Sequence, residues 1–319
     1  MNQILENIHP ILSQEYAVFT PPINQMITTI GTWIDQRITG GYVYGPSRFG
    51  KSKAIKWFLR SMLEERFGYS IPLVIWSRRE SNITETEFWN QLLVASRYEF
   101  STYERPHAKL KARFLFEQQL ITLALNSSNN FIVLLIDEAH EVTLKEWKWL
   151  LGLQNSLDES GFKFSVFSIG SHSISFQPNY LARTGNSHIS ARFFSADMRF
   201  SGIRSRSELA YVLIGYDTDS EWPKDSKISF LHYFAPDDYK NGKRIEQLTD
   251  LIWDSFVELQ PHQIGQAKIE IPMLHLSYLI ENILKSLKNG TTWEEATNIS
   301  TINKFILETG FTQYARIIY

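Results

Sequence analysis

Gly45-Pro46-Ser47-Arg48-Phe49-Gly50-Lys51-Ser52 is the stretch from which the rest of the chain can be read. It matches G-x-x-x-x-G-K-[ST] at every fixed position. Before it runs the short apolar segment Tyr42-Val43-Tyr44, and after it Ile55, Phe58, Leu59 and Met62 recur at helical spacing in a segment from Lys51 to about Phe67. A strand, a glycine loop and a helix in this order make an anion cradle. The glycines let the loop wrap with its backbone N–H groups inward, and the helix turns its positive end on the same point. Lys51 supplies a mobile charge for β- and γ-phosphates, and Ser52 a hydroxyl for Mg²⁺. Residues 45–52 are therefore expected to hold ATP with Mg²⁺.

A second stretch completes that chemistry. Phe131–Ile136 is an unbroken apolar run without alternation, the pattern of a central parallel strand buried on both faces. It ends in Asp137-Glu138. Ligands in open α/β sheets bind at the C-terminal tips of the strands. Asp137 is thus expected to hold Mg²⁺ with Ser52, and Glu138 to act as general base toward the attacking water. Asp137-Glu138-Ala139-His140 also spells the box of one helicase superfamily. The chain is too short for two full α/β lobes, however, and contains no Q-x-x-G-R-x-x-R string, so His140 reads as a loop residue near the site.

On either side of these motifs the pattern continues. Ile23, Met26, Ile27, Ile30, Trp33 and Ile34 predict a helix that Gly40-Gly41 stops. Pro72–Ser77 reads as a second strand, Glu85–Tyr98 and His107–Leu125 as helices. Thr143 with Glu146 spells a capping box that opens a helix ending near Gly161. Phe164–Ile169 and Ala196–Ile203 read as further strands. This alternation predicts an α/β P-loop NTPase with a parallel central sheet flanked by helices. Beyond about Ser205 the pattern turns mainly helical, with Ile228–Phe234 as a strand and Arg244–Glu258 and Pro272–Lys288 as helices. The expected organisation is an N-terminal arm over 1–21, a nucleotide-binding domain over 22–204 and a mainly helical lid region over 205–319.

Composition removes whole classes of function. The chain has 319 residues, 43% of them hydrophobic, with 32 Lys+Arg against 34 Asp+Glu. A net charge of −2 excludes coating of nucleic acid by bulk charge and leaves only local basic strips. The cysteine count is zero, which rules out disulfide frameworks, thiolate metal sites and Cys nucleophiles. No segment reaches the roughly 18 apolar residues of a membrane span, and the N-terminus lacks a signal-peptide pattern. A cytoplasmic protein with no membrane partner is expected.

Two further features carry a family resemblance. Phe164–Ile169 is followed by Gly170-Ser171-His172, which resembles the sensor 1 element of AAA+ ATPases. Ser190-Ala191-Arg192-Phe193, with Met198-Arg199-Phe200 beyond it, resembles a stretch of transposition ATPases of the TniB, TnsC and MuB type. Tyr233-Phe234-Ala235-Pro236, Gly242-Lys243-Arg244 and Trp253 resemble the C-terminal part of TniB-like proteins. The resemblance covers about Pro22–Phe256. It implies an AAA+ fold, with Ser171 sensing the γ-phosphate or its water. It also implies that Arg192, or Arg199 as second choice, serves the nucleotide of a neighbouring subunit. The helix at Ile271–Ile280 has no arginine for the usual sensor 2 role, and Lys285 and Lys288 read as solvated.

What the resemblance implies is an ATP-dependent regulator of DNA transposition. Such a protein binds and hydrolyses ATP and assembles as a ring or helical filament on duplex DNA, here through Arg78, Arg79, Lys109 and Lys111. Its further partners are a transposase and a target-selection protein. The alternatives are an AAA+ or STAND-type ATPase of a defence or signalling system without a DNA channel, a module holding ATP as a structural ligand, and a helicase-like motor.

Overall fold

A computed structural model describes residues 8–80, 82–102, 106–127, 129–261 and 269–318. Five strands, β1 Gly40–Tyr44, β2 Leu73–Ser77, β3 Phe131–Asp137, β4 Lys163–Gly170 and β5 Ala196–Arg199, form one sheet in the order β2-β3-β4-β1-β5. Every pairing is parallel. All seven residues of β3 are buried, as its uninterrupted apolar run requires. Helices Glu85–Ala95, Lys109–Asn126 and Leu144–Glu159 contribute Phe88, Trp89, Phe116, Leu120, Trp147 and Leu150 to the core that also holds Val74, Ile132, Leu134 and Val166 of the strands. The fold is the α/β P-loop fold, a parallel sheet flanked by helices, that the alternation predicts.

Helix Leu144–Glu159 starts where the capping box places it. The Thr143 hydroxyl accepts from the Glu146 amide, and the Glu146 carboxylate accepts from the Thr143 amide at 2.7 Å. The helix that follows the glycine loop is less regular than its apolar spacing suggests. It runs as Lys51–Ala54, a wide π turn over Ile55–Leu59, and Arg60–Phe67.

The chain divides into two compact units. One gathers Gln25–Ser47 and Ile55–Phe200; the other gathers the described N-terminal residues to Asn24, Arg48–Ala54 and the chain from Ser201 onward. The second unit is helical, built on Leu209, Val212, Ile252, Phe256, Leu276, Ile280, Ile283 and Ile306. Its longest helix is Met273–Lys288.

Three expectations need correction. Gly40 and Gly41 do not stop a helix, which already ends at Asp35; they belong to β1. A Cβ on Gly40 would lie 2.3 Å from the Phe193 backbone, so the glycine is there for close approach. Ile228–Phe234 is not a strand. Ser229 accepts from the His232 amide at 3.2 Å and caps a short helix, Phe230–Phe234. Strand β5 ends at Arg199, and Ile203 instead makes an isolated bridge to Ile271.

The described part of the N-terminal arm packs within the helical unit. Ile11 is fully buried, and His9 sits among the rings of Trp222, Phe230, Tyr233 and Phe234 at 4.5–5.0 Å. Burial, and then the Lys288 ammonium, pushes the His9 pKa down to about 4. The folded state thus holds the neutral ring. An unfolded chain takes up the proton near pH 6.5, so this contribution to stability is complete above that pH and is lost as pH falls toward 4. Wild type should accordingly lose more stability than His9→Phe between pH 6.5 and 4.5 in urea titrations. Parallel losses would show that the ring is not buried neutral.

Candidate nucleotide site

The register of the sheet brings the sequence-predicted residues to one pole. Tyr44 pairs with Gly170 and with Arg199, and Asp137 with Ile169. The C-terminal tips of β1, β3, β4 and β5 therefore end together. From them continue Gly45, Glu138, Ser171 and Phe200.

Gly45 is required by contact: a Cβ there would stand 2.4 Å from the Phe200 carbonyl oxygen, because the Phe200 amide donates to the Tyr44 carbonyl at 2.7 Å. Pro46 and Ser47 lead into a turn in which Arg48 adopts φ 67° and Gly50 φ 112°. The second value is one that only glycine takes without strain. Phe49 is buried. Lys51 and Ser52 are the first two residues of Lys51–Ala54, the helical position that aims amides at an anion.

Within the helical unit this loop and the helical turn after it are tied down at two described points. The Leu274 amide donates to the Arg48 carbonyl at 3.2 Å. Lys53 donates to the carbonyls of Gln14 and Tyr16 at 3.1 and 3.0 Å. Tyr16 and Gln14 in turn donate to the buried carboxylate of Glu281, at 2.9 and 3.2 Å. Burial, with Tyr216 and Glu281 beside it, raises the Tyr16 pKa well above its usual value. The sequence does not reveal these links, since nothing local in the arm marks Gln14 or Tyr16 as partners of Lys53. Lys285, which reads as solvated, pairs with Glu281 at 3.1 Å, and Lys288 lies over the Tyr233 ring at 4.1 Å.

On the sheet, Asp137 is buried and Glu138 half exposed. Glu138 takes a left-handed backbone, φ 57°, and its amide donates to the Asp137 carboxylate at 3.1 Å. His140, on the 3-10 turn Ala139–Glu141, brings Nδ1 to 3.4 Å from the Glu138 carboxylate. The Ser171 amide donates to the same nitrogen at 3.4 Å, while the Ser171 hydroxyl pairs with that of Ser173 at 2.8 Å.

Arg192 stands at the other pole. It lies in the last turn of the helix Ser187–Phe193, and its carbonyl accepts from the Thr39 hydroxyl at 3.1 Å, next to the start of β1. The five residues of β1, at about 3.3 Å each, separate it from the glycine loop of its own chain. The side chain is exposed and donates to Gln154 Oε1 at 3.3 Å. It lines a cavity of about 330 Å³ with Arg37, Asp158 and Lys163. Arg199, at the C-terminal tip of β5, lies at the pole of the loop.

Arg78 must be withdrawn from the candidate DNA contacts. It is 1% exposed, and its guanidinium lies 3.1 Å from the equally buried carboxylate of Glu146. A phosphate cannot reach it. Its role is to fasten the start of helix Leu144–Glu159 to the end of β2, where the Arg78 amide donates to the Asp137 carbonyl at 2.9 Å. Removing one partner of a buried pair strands the other, so Arg78→Leu should lower unfolding free energy by about 3–5 kcal/mol in urea titration. A loss below about 1 kcal/mol would show the pair to be solvated. Arg79 and Lys111 are exposed, and Lys109 pairs with Glu85 at 3.3 Å on the surface. Among the described residues no cluster of three or more His, Asp or Glu could hold a metal by itself, and no helix is long and apolar enough to cross a membrane.

Comparison with known proteins agrees with this geometry. Residues 36–177 match the family described as an AAA domain. No curated protein sequence matches the chain. Among solved structures, the chain is similar to the Aeropyrum pernix ORC2 protein in its ADPNP-ADP complexes, with a TM-score of 0.62 at 10% identity, covering 95% of this chain and 72% of that one. It is also similar to Drosophila ORC bound to DNA, with a TM-score of 0.51 at 11% identity, covering 93% of this chain and 64% of that one. At such identities the likeness concerns the fold. The matched residues run from the end of the first long helix through β1, the glycine loop, Asp137-Glu138 and Ser171; over them the chain is similar to AAA domains, and its fold is a P-loop AAA+ fold with a helical C-terminal region.

Proposed function

We propose that the chain is an ATP-hydrolysing regulator of DNA transposition. It assembles as a ring or filament on duplex DNA, and there it recruits or activates a transposase together with a target-selection protein. The observation that carries the hydrolytic part is the common pole of β1, β3 and β4, from which Gly45, Asp137-Glu138 and Ser171 emerge. In this reading the amides of residues 45–52 and the Lys51 ammonium hold the phosphates, Glu138 takes the proton of the attacking water, and Ser171 contacts the γ-phosphate or that water.

Asp137 and Ser52 each offer a hard oxygen donor of the kind that suits Mg²⁺. The ion, when bound, neutralises phosphate charge.

Two features support assembly. Arg192 is exposed at the pole away from its own loop, where a second copy can meet it. The residues that resemble TniB-type proteins, Ser190–Phe193, close the helix just before β5. For DNA, the remaining candidates are Arg79, Lys109 and Lys111. Lys109 and Lys111 open a helix, where cations oppose the helix dipole by about 0.3–1 kcal/mol. An anionic partner would reverse that cost.

The test is assembly on duplex DNA, followed by electron microscopy and by binding titrations in salt. A slowly hydrolysed ATP analogue should produce regular oligomers on DNA, and ADP should not. Replacing Arg79 and Lys111 by alanine should flatten the log–log salt dependence by about one unit per lost phosphate contact. Equal assembly with and without the analogue would refute nucleotide control, and an unchanged slope would return the two residues to ordinary surface.

A further inference from the structure

Glu138 has a half-exposed carboxylate on a flexible side chain, yet a general base must stay aimed at its water. The residue that constrains it is two positions on. His140 Nδ1 lies 3.4 Å from Glu138 Oε2 and 3.4 Å from the Ser171 amide nitrogen that donates to it. The turn that carries the ring is anchored. The His140 carbonyl accepts from the Gln177 side-chain amide at 3.4 Å, and Nε2 lies 3.6 Å from Glu141 Oε1. Gly170 lets the turn sit directly against the tip of β4: a Cβ there would be 3.3 Å from the His140 backbone nitrogen and 3.4 Å from Nδ1. A single imidazole nitrogen thus stands between the tip of β3, which carries the acid pair, and the tip of β4.

That nitrogen can serve only one of its two neighbours at a time. With the proton on Nε2, toward Glu141, Nδ1 has a lone pair and accepts from the Ser171 amide. With the proton on Nδ1, it donates to the Glu138 carboxylate and the Ser171 amide loses its acceptor. The two arrangements differ only in which ring nitrogen is protonated, so no net charge changes. We propose that His140 is the positioning residue for Glu138, and that its Nδ1 makes the orientation of the base depend on the position of the β4 tip. When the Ser171 amide takes the lone pair, the carboxylate loses its hold and no longer stays aimed at its water. When Nδ1 carries the proton, it donates to one carboxylate oxygen and holds the other in place to receive a water proton. The proposal rests on the hydrolytic reading of Glu138 given above and adds regulation to that same residue.

The experiment compares full-length wild type, His140→Leu, His140→Asn and Glu138→Gln for ATP affinity and turnover. Leucine removes the ring nitrogen; asparagine keeps a polar atom near the place of Nδ1. We expect His140→Leu to lower kcat about ten- to a hundredfold with ATP affinity within about twofold of wild type. His140→Asn should recover a large part of the lost rate. Asparagine as slow as leucine, or leucine as fast as wild type while Glu138→Gln is inactive, overturns the proposal and leaves the hydrolytic reading intact. Turnover unchanged in Glu138→Gln overturns the hydrolytic reading itself. Nitrogen NMR of the wild-type imidazole supplies a readout that needs no variant to fold. The Nδ1 and Nε2 shifts should change between the ADP-bound form and the form with a slowly hydrolysed analogue, and identical shifts would contradict a tautomer that follows the β4 tip.

Discussion

Lys51→Ala is expected to abolish ATP binding, while Glu138→Gln keeps ATP bound and slows its turnover by about 10²–10⁴-fold. The two residues divide the work. The ammonium of Lys51, on the first residue of the helix behind the loop, contributes to the bound state by meeting phosphate charge. Glu138 contributes only when a water loses its proton, and glutamine preserves its shape without its basicity. Calorimetric titration and phosphate-release assays on both variants separate the effects. Turnover near wild type in Glu138→Gln would remove that residue as the base.

The second large effect is expected at Arg192, acting in trans. At the pole opposite to its own glycine loop it cannot serve the nucleotide of its own chain, but its exposed, permanently charged fork can meet two phosphoryl oxygens of another. Such arginines contribute about 10³–10⁵ in rate in other NTPases. Arg192→Ala and Glu138→Gln chains should each be nearly inactive alone and recover part of the activity when mixed, because some contacts then join an intact Glu138 to an intact Arg192. If mixtures that demonstrably co-assemble show no recovery, and Arg199→Ala mixtures do, the role passes to Arg199. The position of Arg199 at the pole of its own loop makes that outcome the less favoured one.

Legibility in the sequence depends on how local each feature is. The glycine loop, the apolar β3 with its terminal acid pair and the Thr143–Glu146 capping box are written within eight consecutive residues or fewer, and each appears where its spacing indicates. Features made by distant residues are not legible in this way. Arg78 reads as half of a basic surface pair because its partner, Glu146, is fully explained in sequence as part of a helix cap; in the fold one carboxylate does both. Gly40-Gly41 reads as a helix stop because the Phe193 backbone that demands the missing side chain belongs to a far segment. In Ile228–Phe234 the apolar residues suit a strand as well as one buried turn of helix, and the deciding signal is Ser229 as a cap. His140 reads as lying near the site, but its link to Ser171 depends on the register of β3 against β4.

If ATP is hydrolysed at a site that one copy leaves incomplete and a second copy finishes, the rate per protomer must depend on assembly. The decisive quantity is the initial rate of phosphate release per protomer, followed over a wide range of protein concentration at saturating Mg²⁺ and ATP. The expected specific rate rises with concentration until assembly is complete, in wild type and not in Arg192→Ala. A constant, nonzero rate per protomer down to concentrations where sedimentation shows only monomers would contradict a shared site.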